Sequence, residues 1–298
     1  MRTLTHTVTP EEDGRALRSV APRSFRLGEH AYRRLKVQSA IRVNGQIARA
    51  SCILHAGDVI EIRLPSDGAQ EIAAASMQPE LPASFIRYID EDMIILSKGA
   101  PLPTLPASHI TSGTLREQLI GMLGADAASF TYHPVNRLDK GTSGLLAVAR
   151  HAHAQRLLTA QLHTGSFIRE YLAVTEGIPA EMEGTIDAPI ARLGAGARRA
   201  VREDGQRAVT HYRVEQICGA RALLRLRLET GRTHQIRVHL SHIGCPIAGD
   251  YLYGTQLASL AGRFALHSAY LLCTQPITGR QIEIAEPLPP QLSALLER

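Results

Sequence analysis

The sequence predicts an α+β fold in which a mixed, largely antiparallel β-sheet with flanking helices follows a small α/β module. Ala222, Leu224, Leu226 and Leu228 alternate with less apolar neighbours, which is the period of a half-buried strand. Several such short strands follow one another with few long helices between them, as is typical of antiparallel sheets. With 44% hydrophobic and 20% charged residues, the composition is that of a folded globular protein rather than a disordered one.

The first 64 residues have the pattern of a separate small module. Two turn signals, Asn44-Gly45 and Gly57-Asp58, lie beside short apolar strands. Residues 65–84 are rich in Pro, Ala and Ser and have no steady period, which predicts a linker. We therefore expect residues 85–298 to form the main domain.

Within the main domain, hydrophobic periodicity predicts a series of short elements. The predicted strands cover residues 94–96, 145–149, 167–175 and 222–228, and the predicted helices cover residues 113–123, 152–162 and 233–243. No internal repeat or low-complexity tract interrupts them.

Charge and cysteine content limit the class of protein. The net charge of +5 and the pI of about 9.2 favour a polyanionic partner, because Lys and Arg attract phosphates. The four cysteines are far apart and form no C-x-x-C pair, which favours reduced thiols over a zinc site. No run of about twenty apolar residues and no apolar signal core are present, so we expect a soluble cytoplasmic protein that does not enter a membrane.

A polar turn at residues 136–144 directly precedes the predicted strand at 145–149. Turns held on a rigid strand are where catalytic side chains are usually placed. Asp139 is flanked by Arg137 and Lys140, and nearby cations would keep its carboxylate ionised, ready to act as a nucleophile or base. The alternative is an aspartate that only caps its own turn.

A second polar cluster lies where Gly231 ends a predicted strand. His234 and Arg237 are three residues apart and share one face of the predicted helix. Arg237 lies in an apolar stretch, so it either pairs with a carboxylate or extends its charged end to solvent. His234, His239 and His242 fall on different faces and lack the H-E-x-x-H pattern, so we expect no metal site.

Tyr171 lies on a predicted strand beside Arg169 and Glu170. A tyrosine in that position usually packs in the core or at a sheet edge. In a pocket that holds a nucleobase, its ring would instead stack on the base.

Together, four stretches resemble the RluA-type family of pseudouridine synthases: NRLDKGTSGLLAVA, REYLAVTEG, ETGRTHQIRVHLSHIGCPIAGDYLYG and FALHSAYLLCTQPITGRQIEIAEPLPPQL. The resemblance covers residues 85–292 in the family's motif order. The N-terminal module is similar to the αL-type RNA-binding domain through RVNGQ and AGDVIEI. The resemblance implies an isomerase, an intramolecular transferase that converts uridines in structured RNA to pseudouridine. With no Walker loop, G-x-G-x-x-G or metal cluster in the sequence, we expect no cofactor.

By this resemblance, Asp139 is the catalytic aspartate, Tyr171 stacks on the base, and Arg237 pairs with the aspartate. Asn136 stands where the family commonly has histidine, which is expected to alter how the target loop is held. The residues expected to contact RNA are Arg137, Asn136, Lys140, Thr142, Arg232 and His234.

The expected reaction begins when the target uridine leaves its stack and enters a pocket. Asp139 then acts on the uracil ring or at the sugar while the bond to nitrogen breaks, and carbon 5 bonds to the sugar. The N-terminal module favours ribosomal RNA over transfer RNA as the substrate, and we expect a monomer.

Two other functions compete with this interpretation. One is a non-catalytic RNA-binding or ribosome-assembly factor that has kept the fold, but Asp139, Tyr171 and Arg237 are all intact, which argues against it. The other is a hydrolase that uses Asp139 or Ser143. The segment at Ser143 reads G-x-S-G before a strand rather than G-x-S-x-G before a helix, and no histidine sits at a recognised spacing to serve as its base.

Overall fold

The computed structural model describes residues 2–65, 81–106, 112–124, 130–162 and 164–297. The N-terminal module is a four-stranded antiparallel sheet in the order β1-β4-β2-β3, covered by two helices. Its elements are β1 (Thr3–Thr7), α1 (Leu17–Ser24), α2 (Glu29–Val37), β2 (Ile41–Val43), β3 (Gln46–Ile47) and β4 (Val59–Arg63).

Both predicted turns of the module are present. Asn44 and Gly45 have φ values of 49° and 79°, the left-handed conformation that a tight hairpin between β2 and β3 requires. The Asn44 side chain also accepts a hydrogen bond from the Val59 amide at 2.8 Å and donates one to Asp58 at 2.8 Å. The two turns are thereby tied together, and they place Ile60 and Ile62 in the core of the module.

The main domain is built on a ten-stranded sheet in the order β10-β13-β14-β9-β15-β8-β6-β5, with β16 paired to β15 and β7 paired to β8. Its strands, with the separate β11–β12 hairpin, are β5 (Ile86–Ile89), β6 (Met93–Lys98), β7 (His133–Pro134), β8 (Ser143–Ala149), β9 (Ile168–Glu176), β10 (Glu183–Asp187), β11 (Ile190–Arg192), β12 (Arg199–Val201), β13 (Val209–Cys218), β14 (Arg221–Leu228), β15 (Leu266–Thr274) and β16 (Gln281–Ala285). The helices are α3 (Leu115–Leu123), α4 (Ala152–Gln161), α5 (Gln235–His242) and α6 (Pro290–Ser293). Of the pairs in this sheet, β8–β15 is parallel and the others are antiparallel, which confirms the predicted fold class.

Every residue of β8 is buried, because helices cover both faces of the sheet at its centre. Leu146 and Val148 pack in the cluster that contains α3, whereas Leu145 and Ala147 pack in the cluster that contains α4. The alternation predicted for residues 222–228 is confirmed in β14, where Ala222, Leu224 and Leu226 are fully buried. The other predicted helices and strands also form, with ends that differ by at most two residues.

Gly144 permits the close parallel contact between β8 and β15. Its φ is +105°, and a Cβ atom added there would lie 2.2 Å from the backbone oxygen of Ser268. No side chain fits that space. The loop before β8, which carries Asp139, is thereby held at the centre of the sheet.

A buried polar joint connects the module to the main domain. Asp92 is 1% exposed and accepts hydrogen bonds from Arg2 at 2.9 Å and Gln275 at 2.8 Å, and its Oδ1 lies 3.0 Å from His151 Nε2. Burial alone would raise the pKa of Asp92, but these partners lower it to about 2. Ile277 of the main domain also packs against the module's core.

Most of the predicted linker, residues 66–80, lies outside the described residues. At its end, Leu81 is buried in the core of the main domain. None of the helices in the described part of the chain is both long and apolar enough to cross a membrane.

Candidate active site

A cleft of about 800 Å³ lies between the loop before β8 and the start of α5. All nine residues that the family resemblance assigns to catalysis or RNA contact line this one cleft, although they are spread over about 100 positions of the chain. They are Asn136, Arg137, Asp139, Lys140, Thr142, Tyr171, Arg232, His234 and Arg237.

Asp139 lies on a loop that hydrogen bonds and core packing hold in place on both sides of the residue. The buried Leu138 anchors the loop in the core, and its carbonyl oxygen accepts a hydrogen bond from Thr104 Oγ1 at 2.8 Å. The amide of Thr142 closes the turn by donating to the Asp139 carbonyl at 3.0 Å. The Asp139 side chain remains 28% exposed, so a substrate in the cleft can reach it.

Arg237 joins two carboxylates beneath the cleft. Its Nη1 donates to Asp139 Oδ2 at 3.0 Å, and its Nε and Nη2 donate to Asp250 at 2.7 and 2.9 Å. The guanidinium carbon also lies 4.2 Å from the centre of the Phe264 ring. Burial lowers the pKa of Arg237, but the two carboxylates outweigh that effect and raise it, so the side chain stays charged.

The cation that contacts Asp139 is not its neighbour in sequence. Arg137 and Lys140 are exposed, and within the described ranges the ion pair of Asp139 is with Arg237, while His234 Nε2 lies 3.8 Å from the same carboxylate oxygen. Neither Arg137 nor Lys140 therefore contributes an ion pair to Asp139 in the described part of the chain. Both basic side chains extend from the exposed rim of the loop, whereas Arg237 approaches from the core.

His234 lies one residue before α5 and not on it, with a left-handed φ of 59°. Its Nε2 is 3.8 Å from Asp139 Oδ2, and its Nδ1 is 2.9 Å from the hydroxyl of Tyr253. Burial lowers the pKa of His234, an effect that the Asp139 charge opposes. His234 and Arg237 do face the same group, but the helix alone does not bring them together.

Tyr171 is in the middle of β9, between Leu226 of β14 and Ser268 of β15. It is 5% exposed and lines the cleft. Burial raises the pKa of Tyr171, and the charge of Asp139 acts in the same direction, so its hydroxyl stays protonated.

The residues expected to contact RNA occupy different depths. Arg137, Lys140 and Arg232 are exposed at the rim, where phosphates can reach them. Thr142 and Asn136 are buried, at 2% and 5% exposure. The Asn136 amide oxygen accepts a hydrogen bond from the Ala147 amide at 3.0 Å, so it stabilises the loop against β8.

The sequence analysis did not identify three residues of the site. Asp250 is the buried partner of Arg237, and Phe264 packs on the same guanidinium. Lys98 is 1% exposed at the end of β6 and donates to the carbonyl oxygens of Leu102, Gly99 and Lys140 at 2.7, 2.9 and 3.3 Å. Burial lowers its pKa to about 7, although the Asp139 charge opposes this. The feature of the sequence that could have identified Lys98 is its position at the end of an apolar strand.

Ser143 does have a histidine within reach, although none sits at a recognised spacing from it in the sequence. His267 Nδ1 lies 2.9 Å from Ser143 Oγ, and Arg263 Nη2 donates to the same oxygen at 2.9 Å. However, Ser143 and His267 are 5% and 2% exposed and do not line the cleft. Because a substrate cannot reach this cluster, it does not support the hydrolase interpretation. Among the described residues, no group of three or more His, Cys, Asp or Glu side chains is placed to hold a metal ion.

The sequence profile of the RNA pseudouridylate synthase family matches residues 92–242, which include Asp139, Tyr171 and Arg237. The chain belongs to the RluA-type RNA pseudouridine synthases. This synthase is 36% identical over 258 residues to the RNA pseudouridine synthase YjbO of Bacillus subtilis, covering 86% of this chain and 89% of the relative. It is 35% identical to ribosomal large subunit pseudouridine synthase D of Pseudomonas aeruginosa, covering 96% of this chain and 92% of the relative.

Among solved structures, human RNA pseudouridylate synthase domain containing 1 is similar with a TM-score of 0.56 and 26% identity, covering 70% of this chain and 86% of the human chain. The synthase is therefore an isomerase that acts on RNA. The cleft that contains Asp139 is the candidate site of that isomerisation.

Proposed function

We propose that this synthase isomerises uridines in ribosomal RNA and that Asp139 is the reacting carboxylate. The main support for the role of Asp139 is that its two carboxylate oxygens have different surroundings. Arg237 and His234 both approach Oδ2, whereas none of the described residues forms a hydrogen bond or ion pair with Oδ1. One oxygen of a partly exposed carboxylate is thereby left free to react with a substrate in the cleft.

The cleft is large enough for a flipped nucleotide. A volume of about 800 Å³ lies within the range of roughly 300–1,000 Å³ that small-molecule sites occupy. Taking a uridine out of its stack costs a few kcal/mol, and the Tyr171 ring supplies a surface on which the extruded base can stack. Arg137, Lys140 and Arg232 at the rim supply positive charge for the flanking phosphates.

The reaction exchanges one bond of the base for another. The bond from the sugar to uracil nitrogen 1 breaks, the bond from the sugar to carbon 5 forms, and the carbon 5 proton is released while nitrogen 1 gains one. Asp139 Oδ1 serves either route, addition to the uracil ring or action at the sugar. Arg237 keeps the carboxylate ionised and aligned, and the protonated Tyr171 holds the base.

Ribosomal RNA is proposed as the substrate on two grounds. The Pseudomonas aeruginosa relative, named for the ribosomal large subunit, matches nearly the whole chain, including the N-terminal module. Residues 1–64 also hold 11 Lys and Arg against 6 Asp and Glu, so the module carries a net charge equal to the +5 of the whole chain. A basic module docked on the main domain can hold a large RNA while the cleft receives one nucleotide.

The cleft is complete within a single chain, which supports a monomer as the working unit. All four cysteines are free, which supports a location in the reducing cytoplasm.

Tritium release from RNA labelled at carbon 5 of uridine tests the proposal. Wild type is expected to release tritium from unmodified ribosomal RNA, and Asp139→Asn is expected to release none while it still binds the RNA. Tyr171→Phe keeps the ring and should retain most activity, whereas Tyr171→Leu loses the stacking surface. Release from transfer RNA alone would overturn the proposed substrate. Equal release by wild type and Asp139→Asn would overturn the role of Asp139.

A further inference from the structure

The two nitrogens of His234 have different partners, and these partners determine which nitrogen carries the proton. The amide of Arg199, at the start of β12, donates to the Tyr253 hydroxyl oxygen at 2.9 Å. Among the described residues, the acceptor for the proton of that hydroxyl is then His234 Nδ1, at 2.9 Å. Nδ1 is therefore the acceptor, and the ring proton resides on Nε2, the nitrogen that faces Asp139.

The ring is also held in place by packing. His234 and Tyr253 pack edge to face, with ring centres 5.7 Å apart at an interplanar angle of 80°. Tyr253 in turn lies against the Arg237 guanidinium, 5.0 Å from its ring centre. Thus one tyrosine supports both of the groups that approach Asp139.

The backbone at His234 is adapted to this position. A φ of 59° is uncommon outside glycine, although histidine is among the residues that tolerate it. The buried Gln235 stabilises the preceding turn, because its side-chain oxygen accepts from the Arg232 amide at 2.9 Å and its amide donates to the Val209 carbonyl at 2.9 Å. Unusual conformations that the surroundings hold in this way cluster at functional sites.

A neutral histidine suits this role better than a charged one. Burial lowers the pKa of His234; the Asp139 and Asp250 charges oppose this effect, and Arg237 and Arg199 add to it. A second proton would go to Nδ1, where it would face the proton of the Tyr253 hydroxyl. The arrangement therefore favours a single Nε2–H donor.

We propose that His234, oriented by Tyr253, is a positioning residue that acts with Arg237 to hold one oxygen of Asp139, so that the other oxygen faces the uridine. The inference rests on Asp139 being the reacting carboxylate, as proposed above. At 3.8 Å the interaction with Oδ2 is electrostatic before the substrate binds, and such contacts commonly shorten in the substrate complex.

His234→Gln and His234→Leu form a matched pair for the test. Neither replacement is β-branched, so both meet similar backbone strain at the positive φ, but only glutamine retains an N–H donor near the position of Nε2. We expect His234→Leu to lower kcat for tritium release roughly 10- to 100-fold, as for loss of a hydrogen bond to a charged group, with KM nearly unchanged. His234→Gln should recover most of that loss.

Tyr253→Phe provides a second test that does not depend on how His234→Leu folds. It keeps the ring against Arg237 but removes the hydroxyl that orients His234, so kcat should fall with KM unchanged. Wild-type kcat in either His234→Leu or Tyr253→Phe would overturn the inference. So would equal loss in the leucine and glutamine variants, or a change in KM alone, which would instead make His234 an RNA contact. An inactive wild type would contradict the proposed function and not this inference.

Discussion

Replacing Asp250 with asparagine tests how strongly the buried pair with Arg237 stabilises the main domain. Asp250 is fully buried, and its Oδ1 accepts from Arg237 Nη2, the Leu252 amide and the Tyr253 amide at 2.9, 3.0 and 3.3 Å. Its Oδ2 accepts from Arg237 Nε at 2.7 Å. If the asparagine oxygen takes the position of Oδ1, its NH₂ group faces the Nε–H of Arg237, and two donors then oppose each other.

The expected cost follows from these contacts. One charge-assisted hydrogen bond is lost, about 1.5–3 kcal/mol, and a buried donor is left without an acceptor, about 1–3 kcal/mol. The two effects together agree with the loss of roughly 3–5 kcal/mol that breaking a buried ion pair usually causes. For a domain of this size, the melting temperature should fall by roughly 10 °C.

Denaturant unfolding and calorimetry of Asp250→Asn measure this loss, and Asp204→Asn is the matched control. Asp204 also receives two hydrogen bonds from one arginine, Arg202, at 2.8 and 3.0 Å. Both of these side chains are at least half exposed, so the same substitution should cost less than about 1 kcal/mol. If Asp250→Asn costs no more than Asp204→Asn, the argument from burial is wrong.

Two further predictions concern buried residues, Gly144 and Lys98, that lie near the cleft. Gly144→Ala should destabilise the domain by roughly 2–5 kcal/mol in denaturant unfolding, because its Cβ would clash with the Ser268 backbone at a positive φ. Gly165→Ala is the control, since a Cβ there meets nothing within 4 Å. Its unfolding free energy should stay within about 0.5 kcal/mol of wild type. Lys98 has a pKa of about 7 in the fold and an ordinary value of 10.5, so between these pH values the unfolded chain binds more protons and stability rises with pH. From pH 7 to pH 9, wild type should gain about 2 kcal/mol of unfolding free energy relative to Lys98→Met. An equal pH dependence in the two proteins would contradict a lowered pKa of Lys98 in the fold.

Much of the architecture was predictable because it depends on neighbours in sequence. The alternation in β14 and the Asn44-Gly45 turn follow from the preferences of a few consecutive residues, and both are present. The apolar setting of Arg237 indicated a carboxylate partner, and the structure shows two.

The composition of the site was less predictable. Arg137 and Lys140 were expected beside the Asp139 carboxylate because they flank it in sequence, yet both side chains are exposed at the rim. No histidine sits at a recognised spacing from Ser143 in the sequence, yet His267, 124 positions away, lies against it in a cluster that a substrate cannot enter. No local pattern specifies such pairs.

By itself, the sequence determined the α+β class, several of the strands and helices, and the group of polar residues that line the cleft. The tertiary structure decided which of these residues meet. Asp139 and Arg237 are 98 positions apart, and they meet because β8, β15, β9 and β14 pair side by side at the centre of the sheet. Such pairing depends on packing between distant segments, whereas periodicity and turn preferences depend only on residues that are close in sequence.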